Sequence, residues 1–538
     1  MIRKAYDYII VGGGPAGCVL AYRLSANPAT RVLLLEAGSA RSSLGVRLLA
    51  RFTNWFDPQL RWMYDTVPQA AMNGRRIYLP QGRALGGGSA INAMTYVRGQ
   101  ARDYDGWQQL GNDGWGYDRV LAAFKRLENN ETLHDAFHAQ GGPLNVSEQV
   151  QPHALTRVFL EAGQAAGLPY TRDFNGASQE GVGTYQVTQR RGRRWSAADA
   201  FVYPVRGRPN LTVHAQAYAS KVCVEGGRAV GVEVRSRGRV HRIRAEREVI
   251  VSGGAINSPK LLLLSGIGPA DELRRLGIPV VHDLPGVGRN LHDHLNAQVI
   301  TRCNRPITYD HWDGPLRFAR FGLQFLLFNS GVATSNICEG GAFLRSGPDA
   351  STPDVQMHFL PLIWIDYGRI HFDGYGMTLE AAFLRPESRG TVTLASADAT
   401  DAPLIDPAYC IEPADLRALV EAVRRGREIM HARPFHPFIT GELRPGPDVR
   451  SDTELAEYVR QTAITTYHPV GTCKMGTDEA AVVDCRLRVR GLEALRVVDS
   501  SIMPRIVSGS TQSPSMMIGE MGATMILEPS RPRIPRSA

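Results

Sequence analysis

Long hydrophobic runs are missing from this sequence. No apolar stretch approaches the roughly 20 residues that a membrane-spanning helix needs. Cysteine pairing is missing too. Cys18, Cys223, Cys303, Cys338, Cys410, Cys473 and Cys485 are scattered, odd in number and form no C-x-x-C pair. That argues against a zinc ribbon or a disulfide frame and fits reduced thiols in a cytoplasmic chain. No G-x-S-x-G elbow occurs, which removes the usual signature of an α/β-hydrolase. No internal repeat is present, and the chain enters its first strand within seven residues, leaving no room before it for a signal peptide. Lysine is scarce: only five of the 61 basic residues are Lys. The net charge of +9 therefore rests on arginines spread along the chain. Their densest cluster, Arg190, Arg191, Arg193 and Arg194, has one tryptophan beside it and no aromatic array. It reads as a solvated or anion-facing loop rather than a nucleic-acid patch. A basic surface also suits peripheral contact with the cytoplasmic face of an anionic membrane.

What is present starts at the N-terminus. Tyr8-Ile9-Ile10-Val11 reads as a buried strand, and Gly12, Gly14 and Gly17 follow at G-x-G-x-x-G spacing. The first glycine allows a tight turn, the second a close approach of backbone to a pyrophosphate, and the third packing of helix on strand. The helix that follows, Cys18 to Leu24, turns free N–H groups and a positive dipole end towards the phosphates. A second apolar run, Val32 to Leu35, ends in Glu36, where an acidic residue suits a ribose hydroxyl. Strand, glycines, helix and acid agree in register, which predicts a dinucleotide site in an α/β fold. The length of 538 residues suits several domains by size alone, but large α/β enzymes often interleave fewer.

Further along, Trp55, Trp62 and Tyr64 fall in a loop-rich stretch. Gly82 to Met94 holds three successive glycines, which suggests backbone lying flat against a ligand. Tyr117–Leu127 reads as a helix and Thr184–Thr188 as a strand. Residues 211–251 read as a β-ribbon returning into a strand at Glu248–Ser252. In Gly253 to Gly266, Ser258 is placed as an N-cap, Pro259 as the first helical residue and Gly266 as the stop. Asp271–Leu276 reads as a short helix. Leu291-His292-Asp293-His294 reads as a structural loop rather than a metal site, because no third ligand has supporting context. The apolar helix at 316–328 has three open readings: core, pocket wall or membrane surface. Residues 377–396 read as strands, 413–431 as an amphipathic helix, and the Pro- and Arg-rich tail as disordered.

Two late stretches carry chemistry. In Thr465 to Gly476, His468 sits on irregular backbone with Pro469 and Gly471 close after it, where an imidazole can act as a general base or simply be a satisfied structural group. In Val497 to Pro514, a strand ends in Asp499 and a polar turn leads into a helix with a core-facing Met stripe.

Together these blocks resemble the glucose–methanol–choline oxidoreductases, flavin enzymes that oxidise alcohols. The resemblance runs from about Tyr6 to Ala523. It rests on Gly12–Gly17 with Glu36, Gly82–Met94, Gly254–Gly268, Tyr467–Gly476 and Asp499–Pro514, in that order. Asp173–Gly183, Arg194 to Ala198 and Thr334–Asn336 look most like membrane-associated aliphatic alcohol dehydrogenases, with choline and sorbose dehydrogenases close behind. The resemblance implies an α/β fold in which a Rossmann-like FAD-binding domain (1–155, 195–300 and 455–530) is interleaved with an α+β substrate domain on an antiparallel sheet (156–194 and 301–454), followed by a disordered tail (531–538). It implies FAD at Gly12, Gly14, Pro15, Ala16 and Gly17, with Glu36 on the ribose and Trp62 close by. Gly86, Gly87, Ser89, Asn92, Ala93 and Met94 would border the flavin, Val222 the adenine, and Asp499 the pyrophosphate and ribityl chain, with Gln512 among the cofactor-binding residues. Ile91 stands where some members carry a flavin-linked His, so the FAD is expected to be non-covalent. No metal is expected. His468 matches the family's catalytic base for an alcohol substrate, with electrons leaving to a quinone or similar acceptor.

One position departs from the pattern. The second active-site residue, His or Asn in the family, falls at Ser510. A hydroxyl still donates a hydrogen bond but reaches less far, and Gln512 stands two residues on. The departure keeps open a lyase or oxidase of the same family, or a degenerate flavin-binding protein.

Overall fold

The computed structural model describes residues 3–40, 59–236, 238–310 and 315–528. Trp55 and the tail 531–538 lie outside the described residues.

Apolar runs at Ala5–Val11, Val32–Leu35 and the end of Arg239–Val251 are buried on both faces, as parallel strands between covering layers must be. They form a sheet in the order Leu211–His214, Val32–Leu35, Ala5–Val11, Arg239–Val251, with Leu495–Val497 completing the parallel part. The antiparallel strands Arg228–Ser236 and Tyr218–Glu225 extend it from the first half of Arg239–Val251. Helices Pro15–Leu24 and Gln512–Leu527 cross one face. They meet so closely that a Cβ on Gly519 would lie 2.7 Å from the Ala16 carbonyl oxygen.

A second sheet is antiparallel throughout: Ile439–Arg444, Leu295–Cys303, Gly376–Phe383, Val355–Leu360, Gly340–Leu344, Gly181–Thr184, with Ile464–Thr465 beside Leu295. Its two faces differ. Ala297, Val299, Met357, Phe359, Leu379 and Ala381 bury one face against helices Ala154–Ala165 and Pro413–Met430. The alternate residues Gln298, Gln356, His358 and Glu380 line up on the other, in register across three strands. The chain is thus the expected α/β fold with a Rossmann-like sheet and an antiparallel-sheet partner.

Several local expectations shift. The strand Leu295–Cys303 straddles the boundary expected at 300, and helix Asp452–Thr462 with Ile464–Thr465 joins the same side, whereas the resemblance implies that 455 onward belongs to the FAD-binding domain. The reason is the Leu295, Ala297, Val299 alternation, which belongs against helix Pro413–Met430. The strand expected at Thr184–Thr188 ends at Thr184, and Val187 instead bridges to Thr95 and Ser147. Ser258 is not an N-cap: the helix begins at Gly254, and Pro259 lies inside it. Proline has no N–H for the carbonyl four residues back. That carbonyl, Ala255 O, accepts from Thr472 Oγ1 at 2.6 Å instead. Thr472 therefore satisfies a bond the helix cannot make and ties this helix to the loop carrying His468.

Replacing Thr472 with Val should strand a buried carbonyl and cost about 1–3 kcal/mol. The check is a lowered thermal midpoint; an unchanged midpoint would show that Ala255 O needs no partner.

Candidate active site

The parallel strands all end at one cavity, as ligands in open α/β sheets require. The wall takes Gly12 after the first strand, Glu36 after the second, Ala217 just past Leu211–His214, Ser252 after Arg239–Val251, and Asp499 just past Leu495–Val497. Gly12 has φ of +111°, and a Cβ there would lie 2.2 Å from the Ser252 carbonyl oxygen. Gly17 does not reach the wall. It packs under the turn, where a Cβ would lie 2.0 Å from Gly12 O. Gly14, Pro15 and Ala16 present the helix start to the cavity.

Glu36 is held from both sides, accepting from Gly13 N at 2.9 Å and Gly38 N at 2.7 Å. Burial still pushes its carboxyl up to about 7. Asp499 accepts from Gly254 N (2.9 Å), Ser258 Oγ (2.5 Å) and Ser501 N (2.8 Å). Ser258, displaced from the capping role, is thus a partner of the site. Trp62 lies on the wall under the Arg83 guanidinium, 4.5 Å from its ring centre, and stacks on Tyr64.

Gly86 stays behind the wall and donates to Gly13 O at 2.7 Å, locking the second glycine loop to the first. Gly87, Ser89, Ile91, Asn92, Ala93 and Met94 then line the cavity. Arg194 Nη1 donates to Ser89 O (3.1 Å) and Asn92 Oδ1 (2.9 Å). Asn92 Nδ2 donates to Gln512 Oε1, while Gln512 Nε2 is buried on the wall with no partner among the described residues. Val222 is not at the cavity. It is fully buried, and its N–H donates to Ser265 Oγ at 2.8 Å. Ala217, Tyr218 and Ala219 hold that part of the wall, because three further residues carry a strand about 10 Å onward. Lys260, which the sequence did not single out, also lines this end, donating to Ala399 O and Asp401 O.

The other end of the cavity holds His468. Leu384 O can only accept, so His294 Nε2, 3.2 Å away, is the donor. A neutral His294 then carries its lone pair on Nδ1. That atom lies 3.1 Å from His468 Nδ1, with Thr466 Oγ1 at 3.0 Å as a second acceptor. The proton of His468 is therefore on Nδ1, and Nε2 is the basic atom left for the cavity. Burial, reinforced by His294 and His358, holds His468 well below the ordinary imidazole range. The loop beneath is fixed by Asp293, which accepts from His468 N (2.8 Å), His294 N (2.9 Å), Tyr409 OH (2.5 Å) and Thr465 Oγ1. Burial pushes Asp293 up to about 6. The Leu291–His294 motif is thus a support, and His292 joins it by bonding to Asn290 Oδ1 at 3.0 Å. Ser510 lines the same end, two residues after Ser508, which Asp103 anchors through its N–H and hydroxyl.

Residues 6–296 match the N-terminal model of the GMC oxidoreductases, and residues 386–519 match the C-terminal one. The chain belongs to the GMC oxidoreductase family. It is 44% identical over 532 residues to the alcohol dehydrogenase (acceptor) of Pseudomonas putida, covering 97% of this chain and 96% of that one. It is 45% identical over 534 residues to the mitochondrial choline dehydrogenase of Homo sapiens, covering 97% and 90%. Among solved structures, an Aspergillus oryzae formate oxidase variant studied for its FAD modification superposes with a TM-score of 0.91 at 26% identity, covering 98% of each chain. As a GMC oxidoreductase with these relatives, the chain is an FAD-dependent enzyme that oxidises alcohols. The cavity suits that cofactor. Gly12, Gly14 and Gly87 bring bare backbone to its wall beside the start of helix Pro15–Leu24, and Gln512 Nε2 offers a buried donor with no partner among the described residues.

Gly12→Ala is expected to yield folded protein largely without FAD, because backbone rather than a movable side chain opposes the added carbon. The ratio of visible to protein absorbance, set beside circular dichroism, checks this; full FAD content would show that the turn yields.

Proposed function

We propose that this enzyme oxidises a primary alcohol to an aldehyde with His468 as the general base, passing electrons to a quinone or similar acceptor. The observation that supports it is the proton assignment along Leu384 O, His294 and His468, which leaves His468 Nε2 basic at the cavity. Gly12, Gly14, Pro15 and Ala16 would hold the pyrophosphate of FAD and Glu36 its ribose. Asn92 and Gln512 would meet the ring system, and Ile91 leaves the FAD non-covalent. FAD supplies the hydride acceptor; the protein supplies position and a base. His468 Nε2 takes the hydroxyl proton, and the Ser510 hydroxyl donates to the substrate oxygen. Because burial keeps His468 neutral, the base is ready without first losing a proton at pH 6 to 8.

His468→Ala should retain FAD and slow flavin reduction by about 10²- to 10⁴-fold. His294→Ala should slow it less, by freeing the His468 tautomer rather than removing the base. Anaerobic stopped-flow reduction reads both, and wild-type rates in His468→Ala would end this assignment.

The substrate end adds a selective group. Glu380 lines the cavity with Gln298 Nε2 at 3.1 Å and, among the described residues, no cation paired to it. Burial pushes its carboxyl up to about 7. His358 stands opposite on the next strand with Nδ1 buried and, among the described residues, unpartnered. A carboxyl kept in such a place favours an alcohol that brings a positive charge, as the names of the choline dehydrogenases indicate for those relatives. For a cationic alcohol, KM should fall as pH rises through about 7, when Glu380 ionises, and a neutral alcohol should show no such change. Glu380→Gln should abolish the pH dependence and raise KM for the cation about tenfold or more, the worth of a charge-assisted contact. Equal pH profiles for both alcohols would refute the assignment.

A further inference from the structure

The Ser510 side chain forms no hydrogen bond among the described residues, so its place at the cavity is inherited from the turn before it. That turn, 505–509, is pinned at four points, two of them by helix Ala101–Gln109. Trp107 Nε1 donates to Arg505 O at 3.0 Å. One turn earlier on the helix, Asp103 accepts from Ser508 N at 2.7 Å and from Ser508 Oγ at 2.9 Å. Residues at i and i+4 share one helix face, so these contacts make a single rigid strut. Gln179 Nε2 donates to Ser508 O at 3.1 Å. Gly509 lies so close to Val97 that a Cβ on it would be 2.5 Å from Val97 Cγ1.

Asp103 is the costly member of this set. An acid at the third position of a helix commonly caps it from water, and Asp103 does accept from Gln100 N at 2.8 Å. Yet it is only 7% exposed, burial raises its carboxyl above the ordinary value, and both of its oxygens are given to Ser508. Arg385 Nη2, 3.5 Å from Oδ1, offsets the buried charge. Capping the helix needs none of this burial; holding the turn does.

We propose that Asp103 is a positioning residue for the reaction, holding Ser508 so that the Ser510 hydroxyl meets the substrate oxygen. The inference rests on the reading of Ser510 as the donor to that oxygen. A serine makes the demand exacting. Its hydroxyl turns about one bond and cannot reach around a displaced backbone, and a misplacement of about 1 Å can cost about 10²-fold in rate.

The test mixes FAD-loaded enzyme anaerobically with choline or 1-octanol, whichever reduces the wild-type flavin faster, and reads the limiting rate of reduction apart from the half-saturating concentration. Asp103→Ala should lower the limiting rate about 10- to 100-fold. FAD content should not change, and half-saturation should move less than about threefold, as expected when an interaction made in the transition state is lost. Asp103→Asn, which keeps an acceptor for Ser508 N, should recover most of the rate. In Ser510→Ala the same Asp103→Ala change should add almost nothing, because effects exerted through one group do not add. If Asp103→Ala does not fold, Ser508→Ala takes its place, with a smaller slowing alone and the same absence of effect beside Ser510→Ala. A full further slowing of Ser510→Ala by either change would overturn the proposal, since Asp103 would then act elsewhere, as through Arg385. A wild-type rate in Asp103→Ala would overturn it too. A wild-type rate in Ser510→Ala would remove the Ser510 assignment itself, and this inference with it, so the single variant separates the two failures.

Discussion

The buried carboxylate of Asp293 is the constraint on which the catalytic end depends. It accepts hydrogen bonds from two backbone N–H groups and two hydroxyls, drawn from its own loop, from Tyr409 and from the Thr465–His468 segment. An unpaired carboxylate in such a place would cost several kcal/mol, so these partners cannot leave one at a time. The backbone position of His468 is fixed by one of those bonds. The ring proton is fixed by another residue of the same loop, His294, whose own orientation is set by the Leu384 carbonyl. Position and protonation of His468, the proposed base, thus come from one short segment, and neither relies on a cation among the described residues.

The site also holds strained backbone. Met94, Ile337 and Tyr467 have φ of +59°, +69° and +66° and all line the cavity. A bulky or β-branched residue in that region costs on the order of 1–3 kcal/mol. Each is tied by the side chain two residues earlier. Asn92 Oδ1 accepts from Met94 N, Ser335 Oγ accepts from Ile337 N, and Thr465 Oγ1 accepts from Tyr467 N. The strained conformations are therefore closed by short side-chain loops onto their own backbone, at three positions of the cavity wall.

Much of this was legible in the sequence where the signal is local. The fingerprint glycines, Glu36 and the two glycine loops announce themselves within a few residues, because turn, phosphate approach and strand end are short-range constraints. His468 was legible as a candidate through its irregular backbone. Its partners were not, since Asp293 and His294 lie some 175 residues earlier and meet it only in the fold. The same limit explains Ser258 and Pro259. A capping pattern and a mid-helix proline look alike until Thr472 is seen on the freed carbonyl. Val222 differs for another reason: the resemblance implies it at the adenine, but its strand begins at the cavity with Tyr218 and has left the wall three residues after Ala219.

The antiparallel sheet shows why fold and selectivity can be separated. Its apolar face packs on helix Pro413–Met430, and on the other face His358 and Glu380 are free to carry polarity because they line the cavity rather than a core. Changing Glu380 or His358 leaves the helix contact intact, whereas a one-residue slip in register would exchange the two faces and destroy both. Substrate preference can thus vary along one row of side chains while the strand ends that border the cofactor stay fixed. Ser510 is outside this row, on the turn held by Asp103, so its exchange for another hydrogen-bonding residue is equally independent of the sheet. On the proposed reading Ser510 serves the reacting oxygen and the Glu380 row the rest of the substrate, two separable sets of residues that let the substrate change without rebuilding the base.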